Sequence, residues 1–259
     1  MADLAKYRAS ELEQARTADL LRILPRGRAS VLDIGARDGH FSRLLTAHFA
    51  SVTALDLDKP AFDIPGVVPV AGDATRLDFP DNAFDCVFCT EVLEHIPNLE
   101  TACHQIVRVA RHEIVIGVPF EQDIRLDRAT CGVCGKVNPP WGHVNSFDEK
   151  RLLTLFADCR LLSKSFVGTT REATNALSAA LMDLAGNPWG AYDDDLPCLY
   201  CGASLRAPTA GRTLSAKLCS ALAHRINRAQ ALWTRPRGNW IHLVFSKPEG
   251  RAGGPPMKS

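Results

Sequence analysis

Net charge, long apolar runs and repeats are all scarce in this 259-residue sequence. The formal charge is only +1 at pH 7, so no global field marks the chain as a partner of nucleic acid. No apolar stretch approaches the ~18 residues that a membrane span needs. The opening MADLAKYRASELEQ lacks the apolar centre of a secretion signal. No repeat of the solenoid kind is found. What remains is ordinary for a soluble globular protein, with 46% hydrophobic and 23% charged residues, and long enough for one α/β domain with insertions. Cysteine is not scarce. There are nine, and without a signal peptide they imply a reducing compartment, where paired cysteines hold metal more often than they form disulfides. A cytoplasmic protein is the expectation.

Apolar positions at helical spacing (Leu4, Tyr7, Leu12, Ala15, Leu20, Leu21, Leu24) predict a leading helix over 3–24, ended by Pro25 and Gly27. Short apolar runs then alternate with helix-like pieces. The runs are 30–35, 51–56, 67–73, 84–89 and 112–120; the helical pieces include 41–49 and 99–110. That alternation indicates βαβ units and a parallel sheet. Residues 121–145 break it and read as a loop-rich insertion. Ser146 and Glu149 fit a capping box, with a helix to about Phe156 and a strand over 161–170. A second insertion, about 171–237, holds a helix near 172–185 and another near 213–233. A last strand over 239–248 precedes a tail, 249–259, that reads as disordered.

VLDIGARDGHF places Asp33, Gly35 and Gly39 directly after an apolar strand and before a helix. Glycine in such a turn lets the backbone approach a ligand, and the helix start presents free N–H groups. A dinucleotide site would want G-x-G-x-x-G. Here those positions are Gly35, Arg37 and His40, so a pyrophosphate is disfavoured. The loop instead resembles the D/E-x-G-x-G-x-G turn of class I S-adenosylmethionine-dependent methyltransferases, departing from it at Arg37. The string GDA…L-x-F-x-D-x-x-FD-x-V…EVLEHI is similar to the group related to ubiquinone-biosynthesis enzymes, over about residues 15–120.

That resemblance implies an α/β, Rossmann-like fold: a seven-stranded, mostly parallel sheet in the order 3-2-1-4-5-7-6, with helices on both faces. It implies S-adenosylmethionine as cofactor, held by Asp33, Gly35, Ala36, Arg37 and Gly39 in the loop. Asp56 would meet both ribose hydroxyls, with Asp58 as a substitute for it, and Leu57 would also contact the cofactor. Asp73 and Ala74 would meet the adenine, and Glu91 lies in the loop beside the methionine portion. Asp85 reads as structural, and Glu94 and His95 either pack the turn or contact the cofactor. The expected organisation is a cofactor-binding core over 1–120, a first insertion over 121–145, a core helix and strand over 146–170, a second insertion over 171–237 and a final core strand over 238–248.

Cys131-x-x-Cys134-Gly and Cys198-x-x-Cys201-Gly are matching knuckles. Two such turns deliver the four soft ligands of a closed, structural zinc site. One follows strand five and the other strand six, so both leave the same edge of a parallel sheet. Free thiols or a redox pair are the alternatives, although redox C-x-x-C motifs open helices. Cys86, Cys89, Cys103, Cys159 and Cys219 read as small buried apolar residues. His143 reads as a zinc ligand, an acceptor-facing group or a packed loop residue. In 213–233, Leu214, Leu218, Leu222, Ile226 and Trp233 form an apolar stripe flanked by basic residues; core packing is the expected use, a membrane or phosphate-bearing surface the other.

Methyl transfer needs alignment and exclusion of water, and a base only where the acceptor must lose a proton. His143 is the first candidate base and His95 the second. The resemblance implies a small-molecule or saccharide acceptor, through oxygen. An RNA methyltransferase, or a non-catalytic zinc-stabilised binding module, are the other readings.

Overall fold

The computed structural model of the chain describes residues 4–208 and 211–248. The elements in chain order are α1 (Leu4–Arg8), α2 (Glu11–Ile23), β1 (Ser30–Ile34), α3 (His40–Leu45), β2 (Ser51–Asp56), β3 (Val67–Ala71), β4 (Phe84–Thr90), α4 (Leu99–Val109), β5 (Ala110–Pro119), β6 (Ala129–Thr130), β7 (Val137–Asn138), α5 (Glu149–Leu155), β8 (Arg160–Val167), α6 (Ala176–Leu184), β9 (Asp193–Pro197), β10 (Ser204–Leu205), α7 (Leu214–Ala231) and β11 (Trp240–Ser246). They divide into two compact units. One comprises residues 15–119, 147–167 and 240 onward; the other comprises residues up to 14, 120–146 and 168–239. The tail expected over 249–259 lies outside the described residues.

The first unit is the sheet, in the order β3-β2-β1-β4-β5-β11-β8, which is the expected 3-2-1-4-5-7-6. β1 to β5 run parallel, and β11 is antiparallel to both β5 and β8. Alternation along the strands sends side chains to two buried faces. Val31, Val52, Cys86, Phe88, Val115 and Val244 pack with Leu20 and Leu24 from the α2 region and Leu45 of α3. On the opposite face, Phe245 stacks on Phe156 just after α5, with ring centroids 4.8 Å apart. Asp19 of α2 accepts hydrogen bonds from Ser165 of β8 and from Nδ1 of His242 on β11. That bond pattern fixes α2 over the antiparallel edge.

The second unit contains two small ribbons, β6 with β7 and β9 with β10, and the packed helices α6 and α7. Arg125 reaches Asp123 and the Thr174 carbonyl, while Asp123 also accepts the Thr174 N–H. Arg128 pairs with Asp183 of α6. The chain passes from the sheet unit to this one after Pro119 and Val167 and returns at Phe147 and Trp240.

Several local expectations change. The leading helix is two helices, broken at Ala9–Ser10, where Ser10 Oγ receives the Glu13 N–H as a fresh N-cap. Ser146 is not the cap of α5. Its hydroxyl donates to the Gln122 carbonyl, and Asp148 caps instead, accepting the Arg151 N–H at 2.6 Å. The first insertion is less loop-like than expected, since β6 and β7 flank its knuckle. The second-insertion helix starts at Ala176, with Asn175 and Ser178 forming a capping box.

Candidate functional site

The glycine loop sits where β1 ends. Gly35 and Ala36 both donate their N–H to the Leu55 carbonyl, at 2.8 and 3.1 Å. Gly35 has φ +80, and a Cβ there would lie 2.2 Å from Val92 Cγ2. Gly39 has φ +78 and leads into α3; its Cβ would come within 2.7–2.9 Å of Ile64 and Phe62. Both positions therefore require glycine for conformation and for space. Arg37, the departure from the family turn, also lies in the left-handed region, at φ 47. The loop keeps its shape without the middle glycine because the Arg37 N–H is tied to Asp56 Oδ2 at 2.7 Å.

Asp56 closes β2, and its other oxygen accepts the Leu57 N–H at 2.8 Å. Each carboxylate oxygen has a lone pair left, so the pair can still accept from two adjacent hydroxyls. Leu57 is exposed beside it. Asp73, two residues past β3, uses Oδ1 for the Thr75 N–H and hydroxyl, leaving Oδ2 for an outside donor. Ala74 next to it is buried. Glu91 follows β4 at φ 57, its N–H on the Gly117 carbonyl. Asp56, Asp73 and Glu91 thus stand at the carboxyl ends of β2, β3 and β4, either side of the β1 loop, the edge where ligands bind in open α/β sheets.

Asp33 is turned inward. Its carboxyl is buried and accepts the Ser42 hydroxyl at 2.5 Å. Burial, with the nearby Asp56 charge, pushes its pKa up to about 7 despite that hydrogen bond. It links the loop to α3 from beneath. Asp85 holds the Ala29 and Ser30 N–H groups and pairs with Arg111, the structural role expected of it. Cys86, Cys89 and Cys103 are buried, and burial drives their thiols well above the ordinary range, whereas Cys159 and Cys219 are only half-buried.

One residue of this unit escaped the sequence reading. Arg16 of α2 is almost wholly buried, approaches Glu91 at 3.9 Å and lies over the rings of Phe41 and Trp240. The Glu94 carboxyl is fully buried; burial first, then the Glu91 charge, raises its pKa well above the carboxylate range. Arg16 belongs to no sequence motif. His95 is exposed at the end of the single turn Leu93–His95.

In the second unit the four knuckle cysteines converge, with all their sulfurs within 4.8 Å. Cys131 and Cys201 are 3.7 Å apart, and Cys134 and Cys198 3.6 Å. Four sulfurs at ~2.3 Å from a tetrahedral zinc would be about 3.8 Å apart, so the spacing fits that ion. The two turns are copies. In each, the first cysteine donates to a carbonyl five residues on and the glycine donates back to the cysteine; Gly135 and Gly202 have φ 70 and 72. The N–H groups of Cys134 and Val133 hold the Cys131 thiol below its ordinary range. Burial works against ionisation of Cys198, but the N–H groups of Tyr200 and Cys201 and the Asn138 amide outweigh it and bring it to about 6. Asn138 Nδ2 donates to Cys198 Sγ while its Oδ1 accepts the Leu199 N–H, so Asn138 bridges the two knuckles. Nothing in the C-x-x-C spacing pointed to it.

His143 does not join this cluster. It is buried, with Nδ1 at 2.6 Å from Gln122 Oε1 and its ring beside Trp141. The zinc-ligand reading of His143 therefore falls away, since four thiols already complete a tetrahedron.

A sheet in this order, with a glycine loop after β1 and carboxylates closing the next strands, defines the Rossmann-like class I methyltransferase fold. Residues 32–115 match the family model described as Methyltransferase domain. A malonyl-[acyl-carrier protein] O-methyltransferase of Methylococcus capsulatus is 34% identical over 32% of this chain and 34% of its own length. A sterol 24-C-methyltransferase of Yarrowia lipolytica is 44% identical over 34% of this chain and 26% of its own. The chain thus spans about a third or less of these relatives. The N-methyltransferase NodS of Bradyrhizobium japonicum, solved with S-adenosyl-l-homocysteine, superposes with a TM-score of 0.53, covering 96% of this chain and 94% of that one at 15% identity.

Proposed function

We propose that this chain transfers a methyl group from S-adenosylmethionine to a small-molecule or saccharide acceptor, through oxygen. The observation that carries the reading is the Asp56 carboxylate. It is anchored by two backbone N–H groups at the end of β2, yet keeps acceptor capacity on both oxygens, which suits the two hydroxyls of a ribose. Asp73 Oδ2 and the Ala74 N–H suit the adenine edge. Asp33, Gly35, Ala36, Arg37 and Gly39 shape the turn beneath it, with Leu57 against the sugar and base. Glu91, fixed by Arg16, suits the amino end of the methionine portion.

When bound, the cofactor supplies an electrophilic methyl on a sulfonium. The chain's own work is alignment of the acceptor and exclusion of water. For a hydroxyl acceptor, the proton acceptors we propose are His143 and His95; an imidazole titrates in the right range for that step. The relatives' names include both an oxygen and a carbon acceptor, and oxygen is preferred here because a histidine base is useful only to an acceptor that must lose a proton. A structural zinc on Cys131, Cys134, Cys198 and Cys201 belongs to the same proposal. Thiolate ligands need a reducing setting, which favours the cytoplasm.

Calorimetry with S-adenosylmethionine tests the cofactor assignment. Binding that Asp56→Ala weakens at least tenfold is expected; unchanged binding in that variant would remove the basis of the reading. Labelled-methyl transfer to panels of hydroxylated small molecules and saccharides tests the acceptor class, and label appearing on carbon or RNA alone would refute it.

A further inference from the structure

Helices α6 and α7 are packed inside out. Where they meet, the buried residues are small or polar: Ser178 and Ala179 on α6, Ser220 and Ala223 on α7. Hydrogen bonds cross the seam from Asn175 to Gln230 at 2.9 Å and from Thr174 to Asn227 at 3.0 Å. Five of the leucines are exposed instead. Leu214, Leu218 and Leu222, one turn apart on α7, are 74%, 63% and 49% exposed, and Leu177 and Leu184 of α6 are 62% and 75% exposed. Beyond α7, Leu232 and Trp233 are exposed too. Core packing, the expected use of the stripe, is thereby overturned for Leu214, Leu218, Leu222 and Trp233, while Ile226 is half-buried: the buried side of α7 is the alanine and serine side. In water, a helix pair gains by enclosing leucine and leaving serine and asparagine outside. Small residues and interhelical hydrogen bonds inside, with leucine outside, suit a pair whose outer surface meets an apolar phase.

Charge identifies that phase. Residues 196–248 contain no Asp or Glu. Arg225 lies within the leucine face of α7, and Lys217, His224 and Arg228 run along its border, with Arg235 and Arg237 just beyond the helix. Among the described residues, Lys217, Arg225 and Arg228 have no acidic partner. A second copy of this surface would bring the same cations face to face, which disfavours self-association. RNA would use the arginines and leave the leucines in water. No helix among the described residues is long and apolar enough to cross a membrane. Apolar residues on one face and cations beside them are the features of a helix that lies in the bilayer–water interface and draws on anionic headgroups.

We infer that the exposed face of α7, with the outward leucines of α6, docks on the surface of an anionic lipid bilayer. This stands independently of the methyl-transfer reading. The test is flotation of the full chain with vesicles of phosphatidylcholine alone and of equal parts phosphatidylcholine and phosphatidylglycerol. Partition onto the anionic vesicles that weakens as salt rises is expected. A Leu218→Ser/Leu222→Ser variant, with far-UV spectrum and melting unchanged, is expected to lose most of it. Arg225→Gln and Arg228→Gln are each expected to lower partition about fivefold, the equivalent of about 1 kcal/mol per cation; they carry the test if the leucine variant misfolds. The inference is overturned if the protein ignores anionic vesicles at low salt, or if the folded leucine variant partitions like the parent. Lipid-free dimers abolished by the same leucine changes, or RNA binding in place of vesicle binding, would also overturn it.

Discussion

A single dihedral angle separates Arg37 from the glycine found at its position in the family turn. With φ at 47, a side chain there is strained by roughly 1 kcal/mol. The loop's function rests on the residue's N–H, which any residue has. Arg37→Gly is therefore expected to bind S-adenosylmethionine within a few-fold of the parent in calorimetry. Gly39→Ala meets a different obstacle, since its methyl would press within 3 Å of Phe62 and Ile64; a loss of at least tenfold in affinity and a lower melting temperature are expected. Asp33 gives a pH signature. Its folded pKa, about 7, is above the unfolded value, so the folded state holds the proton more tightly. Its contribution is fully present at low pH and is lost as pH rises from about 4 to 7. Melting of Asp33→Asn across that range should lack this part of the decline. Asp33, Asp56 and the glycines were legible because a turn fixes each to a strand end within a few residues. Arg16 and Asn138 were not, because their partners Glu91 and Cys198 are distant in sequence and no spacing rule connects them.

Elements explain both what the periodicity conveyed and where it misled. The strands were legible because a sheet covered on both faces demands continuous apolar runs, and few other structures do. The start of α5 was misassigned because Ser146 and Asp148 both satisfy the composition of a cap; the Gln122 carbonyl engages the serine and leaves the aspartate to the helix. Asp148→Ala should cost about 1 kcal/mol, and Ser146→Ala should act through the Gln122 loop instead, both readable by denaturant unfolding. The stripe on α7 was read correctly as amphipathic but assigned to the wrong side, because periodicity identifies a face and not the medium it meets. The knuckles were legible from spacing alone. On the zinc reading, metal analysis should find about one zinc per chain, lost in Cys131→Ser and Cys198→Ser. Asn138→Ala should retain zinc but bind it about 10- to 100-fold more weakly in chelator competition, as expected for a group that orients a ligand.

At the scale of the molecule, two compact units share one chain that passes between them several times. The proposed cofactor residues Asp56 and Asp73 belong to one unit and the four knuckle cysteines to the other. Scanning calorimetry should therefore separate two ligand responses: S-adenosylmethionine raising the stability of the sheet unit, and a zinc chelator lowering that of the knuckle unit. A chelator that erased cofactor binding outright would contradict that separation.

The position of β11 between β5 and β8 has a consequence for synthesis. Among the described residues β8 has one neighbouring strand, β11, which the ribosome completes 79 residues later, at Ser246. At ~5–20 residues per second that interval is roughly 4–16 s. Throughout it β8 stays an open edge, with unpaired backbone groups that a second nascent chain could capture. Cys131 and Cys134 are made before β8 and Cys198 and Cys201 within that interval, so on the zinc reading metal capture can precede closure of the edge, and zinc-starved synthesis is expected to raise the yield of aggregated chain.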